Sequence, residues 1–253
     1  MTPKGNGISR FKYFMLFLFG MGGFITLISL GIWQMERLDE KRAMIADIAQ
    51  KQRADYQALS LPSPLPDMKD DYYQEILFKK AYFEGKFIAG KSLYYYGQNS
   101  GSAEIGYKIM HLFQTSQGFY IPVIIGFSPL KDAKMIANPL PQLESISKVK
   151  GVLLPHFDKK QFTPDNNIAN NEYYWDDMIA FAQHYDINAQ QILPLRLYAH
   201  MNLGLKNVMP DLTLPNSHKQ YMLTWFTLAF FWAIQSIYLY MRERKKHVSI
   251  KGK

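Results

Sequence analysis

The stretch Asn216–Tyr240, NSHKQYMLTWFTLAFFWAIQSIYLY, decides the fold because it joins a histidine to a run of residues long enough to cross a membrane. From Tyr221 to Tyr240 no Lys, Arg, Asp or Glu occurs over 20 residues. An α-helix that rises 1.5 Å per residue needs about that length to cross the hydrocarbon core of a bilayer. The sequence therefore predicts a transmembrane helix over residues 218–240.

One face of this helix is predicted to carry an imidazole followed by a row of aromatic rings. At about 100° per residue, the side that begins with His218 continues through Tyr221, Trp225 and Trp232. One interpretation is an aromatic belt at the membrane interface, with the histidine tolerated at the helix end. The other is a site for a flat apolar ligand, with neutral imidazole as axial ligand to its metal and indole rings as packing surface. The position of Trp232 near mid-membrane favours the second interpretation, because an interfacial belt gives no reason for an indole there.

A second uncharged run, the 23 residues Tyr13–Met35, predicts another transmembrane helix. It is too long for the core of a signal peptide, and no small-residue cleavage site follows it, so we predict an uncleaved anchor. Several small residues in this run would let another helix approach closely: Gly20, Gly22, Gly23, Ser29 and Gly31. The sequence leaves open whether that helix is the second span of the chain itself or a helix of a partner.

The charge lies mostly outside the two spans and predicts the topology. Residues 1–12 carry a sum of +3 and residues 241–253 a sum of +5, which together account for the formal net charge of +8. Positive flanks stay on the cytoplasmic side, or on the matrix side of a mitochondrial inner membrane. We therefore predict cytoplasmic tails at 1–12 and 241–253, spans at 13–35 and 218–240, and a domain outside the bacterial cell membrane at 36–217. The basic balance reflects topology and predicts no nucleic-acid partner.

Between the two spans, helical and extended patterns follow one another. Apolar residues spaced for one face continue to about Arg53, so the first helix is predicted to run on outside the bilayer. Three prolines in residues 60–67, SLPSPLPD, then predict an extended linker. From Leu77 to His200, segments rich in Tyr, Phe, Ile and Val alternate with Gly, Asn and Ser, as in short antiparallel strands. The predicted strands are Phe78–Phe87, Lys91–Tyr96, Gly106–Thr115, Phe119–Phe127, Lys148–Leu154 and Leu195–Met201.

These patterns predict a membrane protein of the α+β class. One amphipathic helix, from Trp175 to about His184, interrupts the strands, and Ser116–Gly118 predict a hairpin between two of them. Two transmembrane helices would then flank an extracytoplasmic domain of mainly antiparallel strands, curled into a small barrel or sandwich with few helices.

The domain between the spans offers few groups for catalysis. The chain has no cysteine, which excludes thiolate nucleophiles, disulfides and iron–sulfur ligation. No motif of a metalloprotease, a hydrolase, a phosphate loop or a dinucleotide site occurs. Adjacent acids such as Asp176 and Asp177 point different ways on a helix or strand, so we predict solvated charges there. Surface or hydrogen-bonded side chains are predicted for the histidines, which lack metal-ligand spacing: His111, His156, His184 and His200.

Three separated blocks resemble one known family. Residues 31–41 read GIWQMERLDEK and follow the first span. Residues 162–167 read FTPDNN and precede EYYWDDMIAFA at 172–182, and residues 215–229 read PNSHKQYMLTWFTLA and enter the second span. Their order and spacing are similar to those of the Surfeit locus protein 1 family, the membrane-anchored assembly factors of haem–copper cytochrome c oxidase. The resemblance covers nearly the whole chain.

This resemblance implies an assembly factor, not an enzyme, that binds haem a transiently and assists its insertion into subunit I of cytochrome c oxidase. Subunit I and membrane lipid are the implied partners, and haem a synthase is a further candidate. In bacterial members, the histidine and tryptophan of the second-span motif are implicated in haem binding, and they correspond to His218 and Trp225. The alternative is a scaffold that contacts oxidase subunits without holding haem.

Three more residues become candidates if a haem lies against the second span with its iron at His218. Tyr221 would then lie where it could hydrogen-bond the formyl or hydroxyl group of haem a. Arg37 and Lys41, one turn apart where the first span ends, would offer positive charge to the propionates. The alternative for both basic residues is an ion pair with a neighbouring acid or with lipid phosphate.

The chain departs from the family pattern in one central strand. Family members usually have Asn-Arg-Gly-Trp before a proline, whereas this chain has Ile124–Pro129, which reads IIGFSP. The glycine and the proline are kept, but the asparagine and the arginine are not. Any role of that arginine therefore does not carry over to this chain.

Overall fold

The computed structural model describes residues 6–67, 70–90, 92–99, 102, 104–130, 140–199, 201–208, 212 and 214–251. The chain divides into a helical unit, residues 1–46 with 213–253, and a strand unit, residues 47–212. Some positions used in the predictions lie outside the described ranges: residues 1–5 and 252–253 of the two predicted tails, Lys91 at the start of a predicted strand, and His200.

The described residues contain four α-helices, two of them long. These are α1 (Asn6–Arg53), α2 (Asp71–Ile76), α3 (Met178–Tyr185) and α4 (His218–Lys251). Helix α1 has 48 residues and α4 has 34. Each contains a window apolar enough to cross a membrane, with mean hydropathy 2.1 in α1 and 1.4 in α4, and most of each window is exposed. The prediction of two helices able to cross a membrane is confirmed, while the residues at which they would enter and leave it stay predictions.

Helices α1 and α4 pack against each other in antiparallel directions, and glycines of α1 make the approach possible. A Cβ atom built on Gly23 would lie 2.4 Å from Cε2 of Trp232, and one on Gly31 would lie 2.5 Å from Cε1 of Phe226. A larger residue would clash at either position. Of the two alternatives that the sequence left open, packing by the second span of the chain itself is observed at these two glycines, whereas Gly22 has open space around it.

A regular seam on α4 faces this groove. Buried and half-buried residues recur along α4 at alternating intervals of three and four: His218, Met222, Trp225, Ala229, Trp232, Ser236, Leu239 and Glu243. This spacing is typical of two helices packed along a narrow stripe. At the far end from His218, Lys12 Nζ lies 3.0 Å from Glu243 Oε2, and the Tyr13 hydroxyl donates to the Glu243 carbonyl oxygen at 2.9 Å.

The strand unit contains eight described strands in one sheet. They are β1 (Gln57–Ala58), β2 (Lys80–Phe87), β3 (Leu93–Gln98), β4 (Ile105–Thr115), β5 (Tyr120–Pro129), β6 (Lys148–Pro155), β7 (Glu172–Tyr173) and β8 (Leu195–Ala199). Their order is β1-β2-β6-β8-β5-β4-β3-β7. Ladders β1–β2, β5–β8 and β3–β7 are parallel and the other ladders are antiparallel. The prediction of a mainly antiparallel sheet is confirmed.

Strand β2 pairs with two different strands along its length. Residues 80–84 pair with β6, and residues 85–87 pair with β4. The ladders therefore link β2, β6, β8, β5 and β4 in a ring. Gly85 permits the switch, because a Cβ atom there would lie 1.9 Å from the Gln114 carbonyl oxygen.

The predicted linker at residues 60–67 is instead packed onto the strand unit. Leu61 is buried, and its backbone N–H donates to Gln117 Oε1 at 3.2 Å. The Tyr73 hydroxyl of α2 donates to the Pro66 carbonyl oxygen at 2.8 Å. No helix forms here, as the prolines predict, but the segment is packed because the apolar side chain of Leu61, next to the first proline, is buried in the core.

His111 on β4 is buried and neutral in the folded chain. Its Nδ1 lies 3.0 Å from the Tyr185 hydroxyl, and its ring packs tilted against Phe87. Burial, with a smaller contribution from the nearby His184, lowers the pKa of His111 to about 4. The prediction of a hydrogen-bonded histidine is confirmed.

The buried His111 makes the stability of the strand unit depend on pH. The unfolded chain binds a proton at His111 below pH ~6.5, whereas the folded chain does so only below about 4. Stability contributed by the neutral ring is therefore present above pH ~6.5 and is lost as the pH falls, by about 2 kcal/mol at pH ~5. Hydrogen exchange of β4 in the full chain in detergent measures this loss. We expect His111→Phe to flatten the dependence between pH ~5 and ~7, and an unchanged slope would contradict this assignment.

Candidate functional site

His218 begins α4 and is held by a residue of α1. Its Nδ1 lies 2.8 Å from the side-chain oxygen Oε1 of Gln34, and Gln34 is only 8% exposed. An amide oxygen accepts, so the ring donates its Nδ1–H to it. In the neutral ring the lone pair then lies on Nε2, the nitrogen available to a metal. The hydrogen bond to Gln34 thus fixes both the tautomer and the direction of the ring.

Gln34 reaches His218 because it lies on the face of α1 that packs against α4. Gly31, one turn earlier on α1, is buried beneath the Phe226 ring. A glutamine in an otherwise apolar run needs a partner for its amide, since an unpaired buried amide is costly. Residue 34 was not among the predicted site residues, although its polarity within an uncharged span was a signal for it.

Trp225 lies two turns beyond His218 on the same face and is half-buried. Trp232, however, belongs to the packing of the two helices. Its indole Nε1–H donates to the Gly20 carbonyl oxygen at 2.9 Å, and its ring covers Gly23. The argument that an indole near mid-membrane points to a bound ligand is therefore wrong for Trp232, because a helix–helix hydrogen bond accounts for it.

Tyr221 and Asn216 are further polar groups close to His218 along the chain. Tyr221 is 53% exposed, at the margin of the α4 seam. Asn216 Oδ1 is buried and has no hydrogen-bond partner among the described residues. Buried acceptors of this kind are normally satisfied by a partner, a water or a bound group. Asn216 was quoted within the second-span motif but was not predicted as a site residue.

The two basic residues at the end of the predicted first span differ in their surroundings. Arg37 Nη1 lies 2.6 Å from Glu40 Oε2, and its guanidinium carbon lies 6.0 Å from the centre of the Trp33 ring. Arg37 therefore has the neighbouring-acid partner that the sequence left open. Lys41 is half-buried and forms no ion pair among the described residues.

The strand unit contains a second, fully buried polar cluster around Asp176. Arg196 donates to both Asp176 carboxylate oxygens at 2.6 Å, and the Phe157 N–H donates to Oδ2 at 2.7 Å. The Tyr95 hydroxyl donates to Oδ1. The prediction of a solvated charge is wrong for Asp176, whose side chain is 0% exposed, while Asp177 caps α3 by accepting from the Ala180 N–H.

This cluster is satisfied internally and joins four segments of the strand unit. Burial, reinforced by the Asp176 carboxylate, raises the pKa of Tyr95 well above its usual range. Burial alone would lower the pKa of Arg196, but the adjacent carboxylate outweighs it and the pKa of Arg196 is raised. The raised pKa values keep Tyr95 and Arg196 protonated at physiological pH, which suits a structural cluster better than acid–base chemistry.

The only candidate metal ligand that the predictions singled out is therefore His218. Within the residues that the structure describes, no three His, Asp or Glu side chains converge in a way that could hold a bare metal ion. A haem needs only one axial imidazole from the protein, since the macrocycle supplies four nitrogen ligands. His218 with its oriented Nε2, the half-buried Trp225 and the unsatisfied Asn216 oxygen fit such a group.

Comparison with known proteins places the chain in a family. Residues 22–230 match the model of the SURF1 family. The chain is 27% identical to a SURF1-like protein of Rickettsia felis, over 90% of this chain and 96% of that protein. It is 26% identical to Surfeit locus protein 1 of Gallus gallus, over 81% of this chain and 68% of that protein, and 25% identical to that of Takifugu rubripes, over 80% and 88%. The match extends from the glycines of α1 through Trp225 of α4, and the chain belongs to the SURF1 family.

Proposed function

We propose that this chain is a non-catalytic assembly factor of haem–copper cytochrome c oxidase, which holds haem a at His218 and passes it to subunit I. Membership of the SURF1 family supports the assembly role. The hydrogen bond between His218 Nδ1 and Gln34 Oε1, 2.8 Å long, carries the haem-binding part of the proposal. It directs Nε2 of a neutral imidazole away from the α1 partner, as metal-binding histidines require.

Each residue around His218 would make a different kind of contact with haem a. Haem a, when bound, would supply two things: an iron that accepts the imidazole lone pair, and a flat apolar ring that packs against side chains. Nε2 of His218 would provide the axial bond, and the Trp225 ring would provide apolar contact two turns deeper. Tyr221 and the Asn216 oxygen could hydrogen-bond the polar substituents. Arg37 and Lys41 would attract the propionates, with Arg37 first leaving its exposed pair with Glu40, which costs little.

A single axial bond suits a protein that must release its cargo. The imidazole of His218 with the packing of Trp225 would hold the group less firmly than two protein ligands to its iron would, which suits later release. Subunit I is therefore the proposed recipient, and haem a synthase is a candidate donor. Membrane lipid surrounds the exposed apolar faces of both helices in this proposal.

The scaffold alternative has one observation in its favour. Trp232, which the aromatic row includes, is committed to α1 through Gly20 and Gly23, so part of that row serves helix packing. To separate the two functions, the full chain is produced together with the enzymes that make haem a, and its absorption spectrum is recorded. A Soret band with extractable haem a supports the carrier, and a haem-free chain that still binds subunit I supports the scaffold.

We propose that both termini lie on the cytoplasmic or matrix side and the strand unit on the other. The positive flanks of the two apolar helices support this orientation. Reporter fusions at Gly5, at Ser100 and at the C-terminus measure it. We expect a cytoplasmic reporter to be active at the two ends and inactive at Ser100. Activity at Ser100 would overturn the proposed location of the strand unit.

We further propose that the ring of ladders through β2, β6, β8, β5 and β4 is a small closed barrel. The double pairing of β2 supports this form. Slow hydrogen exchange in both halves of β2 would be expected of it, since a closed sheet leaves neither half as an edge.

Gln34 is predicted to set the orientation and the electron-donor strength of the His218 imidazole without contacting the haem itself. Gln34→Leu removes the acceptor of the Nδ1–H, so we expect haem a occupancy to fall roughly tenfold and the reduction potential of the remainder to rise. Gln34→Glu should restore occupancy and lower the potential, because a carboxylate makes the imidazole a stronger donor. The matched control is Gln235→Leu, since Gln235 is an exposed glutamine of α4. Equal potentials in all four proteins would show that Gln34 has no such role.

A further inference from the structure

A groove on the strand unit combines aromatic, basic and apolar walls. Its volume is about 620 Å³, within the range of sites that hold small molecules. Its principal lining residues are Tyr56, Tyr82, Lys148, Lys150, Met201 and Leu203. None of them belongs to the His218 site, and the family motifs quoted from the sequence contain none of them.

Lysine side chains are gathered over the two tyrosine rings. Lys148 Nζ lies 3.7 Å from the centre of the Tyr82 ring. The Nζ atoms of Lys80 and Lys150 lie 5.5 and 5.7 Å from the centre of the Tyr56 ring. The register of β2 with β6 explains this gathering, because Tyr82 lies directly opposite Lys150 and side chains two residues apart share a face. Attraction to the rings keeps the ammonium groups at the groove.

The charge of this surface is not balanced locally. Glu84 pairs with Lys148 at 3.3 Å, but both side chains are more than half exposed, so the pair contributes little. Like charges on one face of a sheet repel each other. Lys80 and Lys150 form no ion pair among the described residues. An oxyanion in the groove would reduce this repulsion.

Apart from Asn202, the rest of the lining is apolar, and this decides the kind of anion that fits. Ile146, Met201 and Leu203 are half-buried. A bare phosphate would leave these side chains uncovered, whereas an anion with an apolar body would cover them and remove their surface from water. The site therefore fits an amphiphile whose phosphate meets the lysines and whose acyl ester region meets Met201 and Leu203.

We propose that this groove binds an anionic phospholipid. The chain has two helices long and apolar enough to cross a membrane, so phospholipid is available in its surroundings. Lipid binding in this groove does not depend on haem binding.

The test uses the full chain in a neutral detergent, with methionine methyl groups labelled for NMR and short-chain phosphatidylglycerol as the probe. We expect a saturable shift of the Met201 methyl signal. The double substitution Lys148→Gln with Lys150→Gln should weaken binding at least tenfold, while Lys160→Gln, which removes a lysine 5.5 Å from the Phe157 ring outside the groove, should not change it. The methyl signal of the buried Met110 reports that each variant is folded.

Two further probes distinguish other occupants. Short-chain phosphatidylcholine should bind more weakly, and inorganic phosphate should bind without shifting Met201. Leu203→Ser should weaken the phospholipid and leave phosphate unchanged. Equal affinity of the double lysine variant and the wild type would overturn the proposal. So would an acidic peptide that displaces the lipid at lower concentration, since the groove would then be a protein-docking site.

Discussion

Replacing His218 by alanine is expected to abolish or alter the iron spectrum of any haem a that the purified chain carries. The substitution removes the only axial ligand in the proposed site and leaves Gln34 without its partner. Loss of a single axial bond in a site otherwise held by apolar contact should lower haem content more than tenfold. The measurement is the absorption spectrum and extractable haem of the full chain, made together with the enzymes that form haem a.

Two comparisons give this experiment its meaning. His156→Ala removes a histidine that bonds the Pro194 carbonyl and Asp158 in the strand unit, and it should change nothing in the spectrum. Trp225→Leu should lower occupancy while keeping the coordination signature, because the indole packs but does not ligate. Identical haem content and spectra in the wild type and in His218→Ala would reject the carrier mechanism and leave the scaffold in its place.

The largest loss of stability is expected from breaking the buried pair of Asp176 and Arg196. The two side chains are 0% and 5% exposed, so removal of either partner leaves an uncompensated charge in the interior. Arg196→Met should therefore destabilise the strand unit by about 3–5 kcal/mol. Hydrogen exchange of β8 and α3 in the full chain measures this loss.

Two controls accompany this experiment: a double substitution that removes both buried charges, and a substitution that breaks an ion pair at the surface. Asp176→Leu combined with Arg196→Met should cost less than either change alone, because no charge is then left buried. Lys206→Met breaks an exposed ion pair with Glu104 that has similar distances, 2.7 Å to both carboxylate oxygens, and should cost less than about 1 kcal/mol. A loss of that small size for Arg196→Met would show that the cluster does not hold the strand unit together.

The sequence predicted the parts of the fold that depend on long, regular patterns. Two uncharged runs became α1 and α4, and six of the predicted strands became β2, β3, β4, β5, β6 and β8. The two short strands β1 and β7 were missed, because two residues are too few to show alternation. Strand β1 pairs in parallel with β2, across α2, and β7 pairs in parallel with β3, which is distant along the chain. The presence of both short strands therefore depends on tertiary contacts.

Side-chain partners were less predictable than elements. Asp176 looked solvated because its neighbour is also an acid, yet one of the two caps α3 and the other is buried against Arg196, a residue 20 positions away in the sequence. Gln34 and His218 are 184 residues apart, and only the antiparallel packing of their helices brings them together. Periodicity predicts which face of a helix or strand a residue lies on, but the residues that pack against that face are determined by the tertiary fold.

The departure from the family pattern on β5 also has a physical reading. Gly126 is kept, and a Cβ atom there would lie 2.5 Å from Cβ of Leu205. Ile124, Ile125 and Phe127 are buried beside it. Apolar side chains at positions where the family has polar ones therefore fill the core at this point, while the glycine still admits the segment after β8.

Two of the hydrogen bonds between α1 and α4, from His218 to Gln34 and from Trp232 to Gly20, depend on the same alignment of the two helices. Gln34 and Gly20 are 14 positions apart on α1, and their partners His218 and Trp232 are also 14 positions apart on α4, about 21 Å along each axis. If the helices slid past each other by one turn, about 5.4 Å, both bonds would break at once. Rotation of α4 about its own axis would also move the Trp232 indole and the His218 imidazole away from their acceptors on α1 together, because both side chains lie on the same face of α4. Trp232 has no role in the proposed haem site, yet its hydrogen bond stabilises the helix alignment in which the His218 imidazole meets Gln34, four turns away.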